Sequence, residues 1–332
     1  MSLDTAATKP LERLSAALAS DLAAVNDLIA ARMASEHAPR IPEVTAHLIG
    51  AGGKRVRPML TLAAANLLGY DGPYHVHLAA TVEFIHTATL LHDDVVDESD
   101  QRRGRPTANL LWDNSSSVLV GDYLFARSFQ LMTETGSLEV LRILSNAAAT
   151  IAEGEVLQLT AARDIETTEE TYLKVVRGKT AALFSAATES GGVIAGGTAE
   201  QVRALYDYGD ALGIAFQIAD DLLDWQGGDA IGKNVGDDFR EGKLTLPIIR
   251  AIAAGDNNER VFWTRTIGRG VQEASDLVEA QAILDRRGAL DSTRATALEW
   301  SARAKTALDA LPDDPLRDLL RDLADYVVAR LV

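Results

Sequence analysis

No cysteine occurs among the 332 residues, which removes disulfides, thiolate–zinc sites and cysteine nucleophiles together. Aromatic residues make up only 5 % and runs of β-branched residues are short, so the composition disfavours sheet. The Ala- and Leu-rich apolar set favours helix instead. No stretch of about 18 apolar residues exists, so no helix is expected to span a membrane. The opening MSLDTAATKP lacks the basic-then-apolar layout of a signal peptide, and the chain reads as cytoplasmic. Basic residues are in deficit, 32 against 48 acidic, for a net charge of -16. A field of that sign repels nucleic acid and anionic lipid. It admits an anionic substrate only where local cations or metal ions reverse it.

What is present is helical periodicity. Leu11, Leu14, Leu18, Leu22, Val25, Leu28 and Ile29 recur at three- and four-residue steps, one face of a helix that should end before Pro39 and Pro42. Further helices are expected over 56–69, 75–97, 116–133, 138–162 and 169–195. Thr198 stands three residues before Gln201, a capping-box signal for a helix running to Trp225. Asp314 before Pro315 is an N-cap and first-turn pair for a last amphipathic helix. The polar stretches 99–109, 226–243 and 255–260 are loop candidates. With no internal repeat, linker or set of alternating strands, the expectation is an all-α chain. It should form one domain over 1–332, a single large helical bundle.

Two helix ends carry the same unusual pattern. Asp93-Asp94-Val95-Val96-Asp97 closes one, and Asp220-Asp221-Leu222-Leu223-Asp224 closes another. Residues i and i+4 share a helix face, so Asp93 projects with Asp97 and Asp220 with Asp224. Like charges so placed destabilise a helix by about 0.2–0.5 kcal/mol, and a hard divalent cation reverses the sign of that interaction. Carboxylate oxygens suit magnesium, which keeps waters and bridges to substrate phosphates. One such cluster alone is more often a solvated acidic helix end; two, each closing an apolar helix, argue for a site. Asp237-Asp238 is a weaker third acidic element.

Cations are distributed to complement these clusters. Gly52-Gly53-Lys54-Arg55-Val56-Arg57-Pro58 precedes a helix, and Arg102-Arg103 follows the first cluster closely. Lys179-Thr180, Lys233 and Lys243 come later. Lys offers a point charge and Arg a fork that matches phosphate oxygens. A diphosphate held by metal on one side and by cations on the other needs this mixture, although any one basic turn alone reads as surface. The loop 226–243 is a candidate flap over phosphates. His86 lies seven residues before Asp93, on the same face, and is a candidate substrate contact; His92 is taken as a hydrogen-bonding neighbour without a further role.

Taken together, GGKRVRP (52–58), HTATLLHDDVVDESDQRRGRPTAN (86–109), GKT (178–180), FQIADDLLD (216–224), GKNVGDD (232–238) and EGKLTLP (241–247) resemble the trans-isoprenyl diphosphate synthase family in order and spacing. HTATLLHDDVVDESD and IAEGEVLQL (151–159) are similar to the bacterial octaprenyl, solanesyl and decaprenyl synthases that supply quinone side chains. The resemblance implies the isoprenoid synthase fold, a single large bundle of long antiparallel helices around a central cavity, usually as a homodimer. It implies that Asp93, Asp94, Asp97, Asp220, Asp221 and Asp224 bind magnesium. Lys54, Arg57, His86 and Arg103 would bind isopentenyl diphosphate. Arg102, Lys179, Thr180, Gln217 and Lys233 would contact the allylic diphosphate, farnesyl or geranylgeranyl. The expected reaction is ionisation, condensation and elimination, repeated to a long all-trans product, with decaprenyl favoured and the ubiquinone side chain as its use.

A growing apolar tail needs a dry channel. Ala88 and Thr89, just upstream of Asp93, are small where short-chain relatives carry a bulky aromatic, and Ile85 continues that wall. Phe125, Phe129 and Met132 are candidates for the channel floor, against the plain alternative that they are ordinary core. Three alternatives stay open: a shorter-chain (geranylgeranyl) synthase; a class I terpene cyclase, which shares metal-triggered ionisation but needs no isopentenyl diphosphate site; and a non-catalytic regulatory subunit.

Overall fold

The computed structural model describes residues 9–50, 53–102, 104–226, 235–329 and 331, with the backbone alone for residues 9, 49 and 50. Arg103 and Lys233, both expected to bind substrate, lie outside the described residues, as does Gly52.

The first apolar stripe is real but bent. Helices α1 (Lys9–Ala17) and α2 (Ala19–Met33) meet at 76°, with Leu14, Leu18, Val25 and Ile29 all buried. A helix then begins where none was expected: α3 (Arg40–Gly50) contains Pro42. Proline is tolerated there because the first turn's N–H groups have no intrahelical acceptor. Helix α4 (Val56–Leu67) buries most of its circumference, and α5 (Tyr74–Val96) carries the first aspartate motif at its C-terminal end.

The expected loop 99–109 contains a short hairpin, β1 (Gln101–Arg102) and β2 (Arg105–Pro106), pairing Gln101 with Pro106 and Arg102 with Arg105. Next come α6 (Ala108–Leu111), α7 (Asn114–Glu134) and α8 (Leu138–Ala161). Asp113 and Ser137 cap α7 and α8 by accepting from Ser116 N–H and Val140 N–H.

The single helix expected over 169–195 is interrupted. Helix α9 (Glu169–Val176) passes through a π-turn at Arg177–Ala181 before α10 (Ala182–Ile194). Such one-turn π segments recur at functional positions. Helix α11 (Ala199–Gln226) starts where its capping box placed it. Thr198 N–H donates to Gln201 Oε1 at 2.9 Å, and Gln201 N–H donates to Thr198 Oγ1 at 3.2 Å.

After α11 come α12 (Asp237–Glu241), α13 (Leu246–Ala254) and α14 (Asn257–Trp263). They are followed by α15 (Asp276–Arg286), α16 (Ala289–Ala307) and α17 (Pro315–Ala329). The expected loop 255–260 is instead a helix start. Asp256 accepts from Asn258 N–H and Glu259 N–H, and Glu259 reaches back to Asp256 N–H; polar capping residues imitate a loop in composition. Asp314 behaves as expected, accepting from Leu316 N–H at 2.8 Å at the head of α17.

The main core is all-α. Helix α5 packs on α7, α11 packs on α16 and α10, and α10 packs on α4. Beyond the end of α11 lies a smaller aromatic cluster. In it Trp225, Phe239, Trp263, Ile267 and Ile283 are buried together. It anchors α12, which brings the residues after the second aspartate motif back against the bundle. Among the described residues, no single helix is long and apolar enough to cross a membrane.

Candidate active site

Both aspartate motifs sit at helix ends, and two segments, each with a lysine on the first motif, connect them. The first tie begins at the π-turn. Gly178 lies so close to α8 that a Cβ there would meet Gly154 Cα at 2.7 Å. Only glycine at both positions permits this contact, and it sets Lys179 beside Glu155. Lys179 Nζ is 2.8 Å from Glu155 and 3.9 Å from Asp93. The next side chain continues the connection. Thr180 Oγ1 donates to Gln217 Oε1 at 2.8 Å, and Gln217 Nε2 donates to Asp221 Oδ1 at 2.9 Å. The second tie is Lys243, whose Nζ lies 3.7 Å from Asp97. Its backbone N–H donates to Asp238 O at 2.9 Å. The two motifs therefore line one region of the molecule.

Within each motif the middle aspartate is the most enclosed. Asp94 is fully buried and accepts from Arg102, with Nη2 at 2.7 Å and Nε at 2.8 Å, while its Oδ2 is buried without a hydrogen-bond partner. Asp221 accepts from the buried Tyr172 hydroxyl at 2.6 Å and from Gln217. Asp224 accepts from Asp237 N–H at 3.1 Å and Asp238 N–H at 3.3 Å. Asp220 shares the face of Gln217 and Asp224 by its spacing.

The electrostatics follow from that burial. Desolvation pushes the Asp93 carboxyl up to about 6, with Lys179 opposing and Glu155 and Asp97 adding to the rise. Desolvation pushes Asp221 up to about 7, against the hydrogen bonds from Tyr172 and Gln217. Asp94 is raised by burial although Arg102 pulls it down. Burial lowers the Lys243 ammonium, yet Glu241, Asp97 and Asp238 outweigh it and hold its pKa above the ordinary lysine value. Anionic charge is thus costly where these carboxylates lie, the condition under which a hard cation binds with profit. The donors are carboxylate oxygens, and the orphaned Asp94 Oδ2 is a spare acceptor among them, so the residues fit a divalent metal of the oxygen-loving class. Among the described residues, no three carboxylates or imidazoles converge closely enough to hold a metal by themselves.

The basic residues divide. Arg57 Nη1 and His86 Nε2 are 3.2 Å apart, and the Arg57 guanidinium stacks 4.7 Å over the Phe184 ring. Lys54 Nζ donates to the Tyr326 hydroxyl of α17 at 3.0 Å. An open cleft between α3, α5 and the hairpin is lined instead by Arg55, Glu83, His86, Thr87 and Arg102. Arg55, at a left-handed φ of 49°, forms an ion pair with the buried Glu83. His92 bonds to the Val118 carbonyl at 3.2 Å, in the space left by Gly121 of α7.

Sequence reasoning missed Glu155, Tyr172, Arg55 and Glu83. Glu155 had a local signal in the Glu-Gly-Glu run inside α8; Tyr172 had none, since its partner is 49 positions away. Of the channel candidates, Ile85, Ala88 and Met132 are fully buried, while Thr89 and Phe125 are half-buried. Phe129 is 37 % exposed in the single chain, so it is not ordinary core, and stacks edge-on with Phe125 at 5.7 Å.

A family model described as polyprenyl synthetase matches residues 38–284. The chain belongs to the polyprenyl synthetase family. A decaprenyl diphosphate synthase structure from Rhodobacter capsulatus is 70 % identical with a TM-score of 0.95, covering 97 % of this chain and 99 % of that one. The octaprenyl diphosphate synthase of Escherichia coli (strain K12) is 46 % identical over 96 % of this chain and 99 % of its own. A polyprenyl synthase from Caulobacter crescentus CB15, solved with calcium and isoprenyl diphosphate, is 50 % identical, covers 97 % and 98 %, and has a TM-score of 0.92. This polyprenyl synthetase is a prenyltransferase, which sets aside the terpene cyclase.

Proposed function

We propose that the protein condenses isopentenyl diphosphate onto an allylic diphosphate, repeatedly and in the trans sense, to a long product of decaprenyl length. The observation that carries the reading is the pair of aspartate helix ends, with Lys179 and Lys243 against the first and Thr180 linked through Gln217 to Asp221 of the second. Carboxylate oxygens and ammonium groups in that combination suit a metal-bound diphosphate. Magnesium, when held by Asp93, Asp97 and Asp220, supplies Lewis acidity toward the diphosphate oxygens.

The chain's own residues account for the rest. Lys179 and Lys243 neutralise charge as it builds on the departing diphosphate during scission of the allylic C–O bond. Thr180 and Gln217, fixed by their mutual hydrogen bond, present oxygen dipoles to the allylic cation. Arg57 and His86, with Arg55 and Arg102 lining the adjacent cleft, hold isopentenyl diphosphate so that its double bond attacks the allylic carbon. A carbon–carbon bond forms, and the proton lost from the isopentenyl unit passes to the released diphosphate. The apolar wall of α5 at Ile85 and Ala88 excludes water from the cation and receives the tail.

Long relatives at 70 % and 46 % identity support the product length; a short-chain synthase of Methanothermobacter thermautotrophicus, at 36 %, stands further away. Exposed Leu119 and Leu138, at 66 % and 82 %, are apolar surface on α7 and α8 that a homodimer would cover. Cytoplasmic placement and supply of a ubiquinone side chain complete the proposal. Incubation of the purified protein with farnesyl diphosphate, isopentenyl diphosphate and magnesium tests it. Diphosphate release that requires both substrates, with a C50 product by mass, is expected. A geranylgeranyl end product, or release from the allylic substrate alone, overturns it.

A further inference from the structure

Asp224 is spelled as the third aspartate of a metal motif, but its contacts describe another task. Its carboxylate takes one backbone N–H with each oxygen, from Asp237 and Asp238 at 3.1 and 3.3 Å, and its own carbonyl takes Gly236 N–H at 2.9 Å. Gly236 adopts φ 76°, and a Cβ there would meet Leu277 at 2.3 Å. Glycine therefore allows the turn that aims both amides at Asp224. The opposite side of α12 is pinned by Phe239, which packs between Trp225 and Trp263, and whose carbonyl accepts from Gln272 at 2.8 Å. Held on both sides, α12 presents the Asp238 carbonyl to Lys243 N–H at 2.9 Å. The Lys243 ammonium then pairs with Glu241 at 2.5 Å and reaches across to Asp97 of the other motif, at 3.7 Å.

We infer that Asp224 is a positioning residue that latches the start of α12 and thereby sets Lys243 against Asp97, so that the last aspartate of the second motif acts on the first. The inference deepens the proposed function, since Lys243 is there assigned to the diphosphate. Asp224 contributes through backbone amides that a charged acceptor binds strongly, and its own carboxylate is not required on the metal.

Three measurements on the full chain test this with Asp224→Ala, Asp224→Asn, Lys243→Ala and the Asp224→Ala/Lys243→Ala double variant. Backbone hydrogen exchange at Asp237 and Asp238, on substrate-free protein, should accelerate at least ~10-fold in Asp224→Ala, and less in Asp224→Asn, which keeps one acceptor. This arm judges the latch whether or not prenyl transfer occurs. The KM for the allylic diphosphate should rise in Asp224→Ala to the same extent as in Lys243→Ala, and the double variant should be no worse than Lys243→Ala. The magnesium concentration for half-activation should stay within about twofold of wild type. If Asp224→Ala does not fold, Asp224→Asn carries the same comparisons. Unchanged exchange at both amides, additive losses in the double variant, or a tenfold rise in half-activating magnesium each overturns the inference.

Discussion

The two aspartate motifs of this chain share a spelling and differ in wiring. Around the first, the partners are cations: Lys179 beside Asp93, Arg102 on Asp94 and Lys243 beside Asp97. Around the second, those among the described residues are neutral donors: a buried tyrosine and a glutamine on Asp221, and backbone amides on Asp224. The first is a charge-balanced cluster, partly open to water. The second is a hydrogen-bonded one, enclosed by the bundle and by α12. Two five-residue strings with the same aspartate spacing thus acquire different duties from what the fold places opposite them, and equivalence of pattern does not transfer to equivalence of role.

That contrast can be attacked at its strongest point first. Asp93 is the carboxylate of the charged cluster that faces Lys179, and Asp93→Asn should lower kcat/KM by about 10²–10³-fold, the usual loss for one preorganised electrostatic group. A loss below tenfold in steady-state assays would mean that the first motif is not the one in contact with the diphosphate.

The difference extends upstream. Four residues before Asp93 stands the small, half-buried Thr89, whereas Phe216, four before Asp220, packs against Phe184 at 5.5 Å. The tail is therefore expected along the first helix, past Thr89 and its neighbour Ala88. Ala88→Phe should shorten the main product by several isoprene units, read by mass; an unchanged product length would displace the channel from α5.

A smaller effect tests the neutral wiring. Tyr172→Phe removes the hydroxyl donor from the buried Asp221 and should cost about 1–3 kcal/mol in denaturant unfolding. An unchanged midpoint would show that Asp221 is held by Gln217 alone.

The smallest effect concerns pH. Asp221 and Asp93 bind a proton more tightly in the folded chain, near 7 and 6, than the ordinary value of 3.8. The folded state then holds more protons than the unfolded one between about 4 and 7, so this contribution to stability is lost as pH rises through that window. In metal-free protein, Asp221→Asn should gain a few degrees in thermal midpoint relative to wild type between pH 5 and pH 8. A relative loss over that interval would reverse the assignment of the shift to burial.

Much of this was legible before any coordinates. Periodicity located the long helices, and the Thr198–Gln201 and Asp314 caps worked because a cap is a contact between near neighbours. The aspartate pairs were legible for the same reason, one helix turn being enough to join them. What escaped notice was set by distant or compensated forces. Pro42 looked like a stop, but a first turn has no hydrogen bond for it to break. Asp256 and Glu259 looked like a loop because capping residues are polar. The break at Arg177–Ala181 follows from the approach of α8, 24 positions earlier for the Lys179–Glu155 pair. Lys54 bonds to Tyr326 across 272 positions, a pairing that no local window contains.

The glycine contact between α8 and the π-turn has a consequence for anyone varying this enzyme. Neither Gly154 nor Gly178 is assigned a contact with substrate, yet an alanine at either would place a methyl carbon within 2.7 Å of backbone. In a randomised library both positions should return a single letter. Screening would score them as indispensable, although their contribution is to leave space empty.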